Sequence, residues 1–271
     1  MRTFAYLGVG VILLILILSA GSAAAVSGPA ASTSPSAFHP FFVTKVKSTN
    51  WGGYAVTGST GSVSKVAGSW VEPAAVSCTS TSTYASFWVG IDGYSSSTVE
   101  QTGTDSDCTG GVASYYAWYE FYPASYASIT TVRVHAGDTI SASVTYSTST
   151  GKFTVKLTDV TTAKSFTKSS AVSGALRNSA EWITETPELC SISCTLAHLT
   201  DFGTVDFGTD HTGVALTDYA TLHGKSLPIG NFTTIKEITI TKSNKTTIMA
   251  RPSSLSTDGT SFKVTWKNAG P

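Results

Sequence analysis

Residues 83–92 read TYASFWVGID. Phe87, Val89 and Ile91 alternate with Trp88, Gly90 and Asp92, a period of two that sends the first set to one face and the second to the other. That is an extended strand buried on its Phe87 face. The pattern recurs outward along the chain, in ASYYAWYEFYP (113–123), SITTVRVHAGD (128–138), TISASVTYST (139–148) and KFTVKLTDV (152–160). It continues in AEWITET (180–186), GVALTDYATL (213–222), TTIKEITITK (233–242) and SFKVTWK (261–267). These segments are β-branched or aromatic, and most end at Gly, Ser, Asn or Asp. No stretch keeps a helical period. Many short strands without intervening helices predict an all-β fold, an antiparallel β-sandwich.

The chain has 271 residues, room for one large β domain. Lys+Arg and Asp+Glu balance at 17 each, so no basic patch points to nucleic acid. Charged residues are only 13% of the chain, but 41% hydrophobic and 11% aromatic content excludes disorder. The N-terminus looks like a targeting segment. Arg2 precedes an apolar run from Phe4 to Leu18, and Ala23 and Ala25 stand in the A-x-A positions of a cleavage site. Residues 1–25 are therefore expected to be a signal peptide or, failing cleavage, an anchor. Residues 26–47, rich in Ser, Pro and Ala at their start, read as a linker or short pro-segment, and 48–271 as the domain. A secreted monomer, free of the membrane after cleavage, is the expectation.

Cys78, Cys108, Cys190 and Cys194 form an even set in an exported chain, which suggests two disulfides. Cys78 and Cys108 flank TYASFWVGID and STVEQTG, with Gly93 midway between them. If those two segments form a hairpin, the cysteines meet at its open end. Cys190 and Cys194 then close a small loop. No His or Cys completes a zinc set, so no metal is expected.

The five histidines fall in no metal pattern, and no G-x-S-x-G elbow or P-loop is present. The candidate chemistry lies with aromatics and carboxylates. Trp88 and Asp92 share a strand face, as do Trp118 and Glu120, and as do Glu181 and Glu185. Together with Gln101 they would line a polar groove walled by aromatics, suited to an extended polymer, peptide or sugar. Strand alternation sends Glu100 to the face opposite Gln101.

STNWGGYAV (48–56), WVGIDG (88–93), QTGT (101–104), YYAWYEFYP (115–123) and AEWITE (180–185) occur in this order. The set resembles the glutamic peptidases, or eqolisins, over roughly residues 48–270. The resemblance implies a sandwich of two curved antiparallel sheets, in agreement with the alternation, and an acid endopeptidase acting on polypeptides without metal or cofactor. It assigns the catalytic pair to Gln101 and Glu185, with Glu181 as the alternative. It places Trp51, Trp88, Trp118, Asp92 and Glu120 around the cleft, as walls or as groups fixing hydrogen bonds near the pair. Two positions depart from the family pattern: Glu100, where an apolar residue is usual, and Thr186, where an acid is usual. A base at its ordinary pKa of about 4.3 puts the expected activity maximum at roughly pH 3 to 5. Two readings of the same groove stand beside this one: a lectin-like carbohydrate-binding sandwich, and a glycosidase using Glu120 and Glu185.

Overall fold

The computed structural model describes residues 42–190 and 193–271. Ser86–Ile91 pairs antiparallel with Val99–Thr109, Ile91 opposite Glu100 and Ser86 opposite Asp105. Val99–Thr109 pairs with Val112–Tyr122, which carries the short strand Ala127–Ile129 on its far edge. On its other side Ser86–Ile91 pairs with Ser179–Glu185, and that strand with Trp51–Thr57. Ile235–Thr241 follows, and then Val43–Ser48, which lies parallel to it. This is the first layer.

The second layer is built around Val63–Val71. Thr139–Ser147, Lys152–Asp159 and Lys164–Ser170 succeed one another on one side, and Thr204–Gly208 and Tyr219–Leu222 pair on the other. Ile248–Pro252 pairs with both Ile235–Thr241 and Ser261–Trp266, so the hydrogen-bond ladder turns the corner from one layer into the other. The result is the expected β-sandwich.

The alternation explains the packing. Phe87, Val89, Ile91 and Trp182 face Trp70, Ile140, Val144 and Val155 across the main core. On the outer face of the first layer, Trp88, Trp118, Val99, Ile183 and Ile238 make a second, smaller apolar cluster with Ala55. The outer face of the first layer is therefore partly apolar, and polar side chains such as Gln101 and Glu181 are buried beside this cluster. Gly103 makes one close approach feasible. A Cβ there would lie 2.2 Å from the Phe87 carbonyl oxygen and 2.5 Å from Trp88 Cβ.

Both disulfides form as expected, Cys78 with Cys108 and Cys190 with Cys194. Cys108 lies at the open end of the hairpin, bridged to Thr83.

Three differences from the sequence reading have physical causes. In SITTVRVHAGD the ladder stops at Ile129, although Val132 and Val134 are still buried. Apolar side chains anchoring a loop in the core imitate a strand. In GVALTDYATL only Tyr219–Leu222 is a strand, because Leu216 and Asp218 adopt φ of 58° and 59°, which no ladder accepts. The sheet also begins before residue 48, with Val43–Ser48. The segment 1–25, and the part of 26–47 that ends at residue 41, lie outside the described residues.

Candidate active site

Ser179–Glu185 ends on Glu185, which is half-buried. Its carboxylate receives an N–H at each oxygen. Asn50 Nδ2 donates to Oε1 at 3.2 Å, and Trp88 Nε1 donates to Oε2 at 2.8 Å. The Trp51 indole stands edge-on to Trp88, ring centroids 4.9 Å apart. Burial pushes the Glu185 carboxyl up to about 7; hydrogen bonds from Trp88, Trp51 and Asn50 pull against this, and the charge of Glu120 adds to it.

Gln101 lies two strands away from Glu185. Its Nε2 donates to Glu120 Oε2 at 2.7 Å, while its buried Oε1 has no protein partner. Glu120 is raised by burial and held down by Gln101 and by the Tyr126 backbone N–H. An amide NH2 has two donors. One is fixed on Glu120, which leaves the other for a ligand.

The register shows how these groups are brought together. Glu181, Gly90, Gln101 and Glu120 form one row across the strands, and Trp51, Glu185, Ser86 and Asp105 form another. Ile183, Trp88, Gly103 and Trp118 fill the row between. Trp88 spans the gap. Its ring reaches Gly90, where an added Cβ would meet it at 2.9 Å, and its N–H reaches Glu185. Glu120 completes the link, accepting from Gln101 and acting through its charge on Glu185.

The remaining residues named from the sequence fall elsewhere. Glu181 is fully buried, and burial holds its carboxyl well above the ordinary range. Asp92 is also fully buried. Its oxygens accept the Arg177 N–H at 2.7 Å and the Asn178 N–H at 2.9 Å, tying the hairpin turn to the chain ahead of Ser179. Trp88 is buried, so it supports Glu185 from beneath instead of walling a groove. Trp118 donates to Asp105 at 2.6 Å. Glu100 does face away from Gln101, between Ile91 and Phe121, with neither oxygen hydrogen-bonded.

The sequence reading assigned no role to Asn50, Ser48 or Tyr94. Asn50, Trp51 and Tyr94 line a cavity of about 400 Å³ together with Val46, Ser48 and Ile238. The only signal for Asn50 was its place inside STNWGGYAV.

A model described as the peptidase A4 family matches residues 49–266. The chain belongs to the peptidase A4 family. Aspergillopepsin-2 of Aspergillus niger is 40% identical to this A4 member over 128 residues, 45% of this chain and 44% of that protein. Scytalidopepsin B of Scytalidium lignicola is 36% identical over 146 residues, 52% of this chain and 53% of that protein. The matches thus span about half the length of these curated relatives. The crystal structure of scytalido-glutamic peptidase with a transition state analog inhibitor superposes with a TM-score of 0.67 at 26% identity, covering 81% of this chain and 98% of that one. The A4 fold accounts for the two-layer sandwich.

Proposed function

We propose that this A4-family protein is an exported endopeptidase that cleaves polypeptides with Gln101, Glu185 and a water molecule, and forms no covalent intermediate. The observation that carries this reading is the half-buried Glu185 carboxylate, with an N–H donor on each oxygen. Donors at both oxygens favour the ionised form, which is the form a general base needs. Glu185 takes a proton from water as the water attacks the scissile carbonyl. It then returns that proton to the departing amine. Gln101 meets the developing oxyanion with its free amide N–H, and Glu120 fixes the amide that does so. The relatives named as glutamic peptidases and pepsins support the assignment.

The test is hydrolysis of a quenched-fluorescence peptide in the presence of pepstatin. Glu185→Gln removes the base and Gln101→Ala removes the oxyanion donor, and each should lower kcat by at least about 10²-fold with the fold intact. Their combination should be little worse than either alone, because both serve one transition state. Activity surviving in Glu185→Gln but lost in Glu181→Gln would move the base to the neighbouring position. Hydrolysis of a β-glucan in place of peptide would favour the glycosidase reading.

A further inference from the structure

Ser48 and Asn50 belong to the turn between Val43–Ser48 and Trp51–Thr57. The Ser48 hydroxyl accepts the backbone N–H of Asn50 at 3.3 Å and that of Trp51 at 3.1 Å. Both of its lone pairs are then engaged, and its single proton goes to Asn50 Oδ1 at 2.9 Å. That proton decides which way the Asn50 amide points. With Oδ1 held by Ser48, Nδ2 faces outward and donates to Glu185 Oε1. The flipped amide would set two N–H donors against the hydroxyl proton and an oxygen against the carboxylate. The Asn50 carbonyl also accepts the Thr186 N–H at 2.9 Å, which locks the turn to the end of the strand that carries Glu185.

We propose that Asn50 is a positioning residue for the general base, and that Ser48 sets its orientation. The proposal rests on the Gln101–Glu185 reading and extends it. The amide stabilises the carboxylate over the carboxylic acid and fixes Oε1, whereas the buried Trp88 indole does the same at Oε2. Among charged groups, Glu120 opposes them by its charge.

The experiment measures kcat and KM against pH for wild type, Asn50→Ala, Asn50→Asp, Ser48→Ala and the Ser48→Ala/Asn50→Ala double variant. Glu185→Gln serves as the control, and near-UV circular dichroism checks the fold. Loss of a donor to the ionised form should move the acid limb of kcat/KM upward by about half to one pH unit, with kcat falling about tenfold and KM little changed. Asn50→Asp keeps the shape and the Ser48 contact but sets a like charge beside Glu185, so its limb should move further. It also covers the case in which Asn50→Ala fails to fold. Ser48→Ala should give a smaller shift in the same direction and add nothing to Asn50→Ala. A purely structural role would lower activity at every pH and leave the limb in place; that result, with Glu185→Gln inactive, overturns the proposal. An active Glu185→Gln would instead overturn the dyad itself, and the proposal with it.

Discussion

At the scale of single residues, Glu185 is held between opposed influences. Burial and the Glu120 charge raise its pKa, and three N–H donors lower it. In the proposed role of base it works only when ionised, so kcat/KM should fall as the pH drops through its pKa. Burial outweighs the donors, so the acid limb should lie well above the ordinary value of about 4.3, toward the value of about 7 to which the carboxyl is raised. The sequence reading gave the base its ordinary pKa and expected a maximum at pH 3 to 5. Burial shifts that expectation upward, because a half-buried carboxyl against the Trp88 indole is less hydrated than an isolated strand suggests. Trp88→Phe offers a sharp check. It keeps an aromatic ring against Trp51 and deletes the 2.8 Å donor, and should move the acid limb up by about one unit in a pH profile of kcat/KM. An unmoved limb would show that the indole N–H does not govern the base. The identities of the candidate pair were legible from QTGT and AEWITE. The Asn50 contact was not, since it joins positions 135 residues apart and depends on an amide orientation set by a neighbouring hydroxyl.

At the scale of elements, the hairpin of Ser86–Ile91 and Val99–Thr109 organises the site. Its legibility came from alternation, which separated Phe87, Val89 and Ile91 from Trp88 correctly. The function of the glycine in QTG is visible only in three dimensions. Gly103→Ala would press a methyl within 2.2 Å of the Phe87 carbonyl, a backbone contact that cannot rotate away. We predict a loss of at least about 3 kcal/mol in urea unfolding, comparable with other severe packing conflicts, and separation of the Trp88 and Gln101 rows. Wild-type stability in Gly103→Ala would mean that the two strands spread without cost. The disulfide at the open end gives a second handle. Replacing Cys78 and Cys108 by Ser frees a loop spanning 30 residues and should cost about 3 kcal/mol, seen as a lower Tm under otherwise equal conditions. Strands that end early, such as the one stopping at Ile129, were misread because burial of Val132 and Val134 carries the same apolar signal as a ladder.

At the scale of the whole molecule, Glu72, Glu100, Asp105 and Asp107 are buried and, among the described residues, none of the four forms a salt bridge. Burial pushes Glu72 up to about 7, Asp105 up to about 6 and Glu100 up to about 8; it also pushes Asp107 up to about 8, with the Asp105 charge adding to it. Geometry supports protonation at one of these sites directly. The Tyr116 hydroxyl touches Asp105 at 2.8 Å and Asp107 at 2.9 Å, yet has one proton to give, so the second carboxyl must supply its own. Each of these groups binds its proton more tightly folded than unfolded. Their contribution is therefore complete below about pH 4, the unfolded pKa, and is lost as the pH rises through the folded values. The urea midpoint should be highest in acid, fall as the pH rises above about 4 and level off above about pH 8, once the folded values are passed. Glu100→Leu removes one such group from a fully buried position. It should stabilise by at least about 2 kcal/mol at pH 9 and by little at pH 4. A midpoint independent of pH, or an equal effect of Glu100→Leu at both pH values, would contradict this account.

The parallel strand Val43–Ser48 has a consequence for maturation. It is hooked to Ile235–Thr241 along its whole length and runs directly into Ser48, Asn50 and Trp51. A proteolytic trim that stops ahead of Val43 leaves this hook untouched. A cut inside it would release the turn that aims Asn50 at Glu185. N-terminal sequencing of the active species should accordingly find no start beyond residue 43, so the ragged edge of a β-sheet sets how far any processing can go.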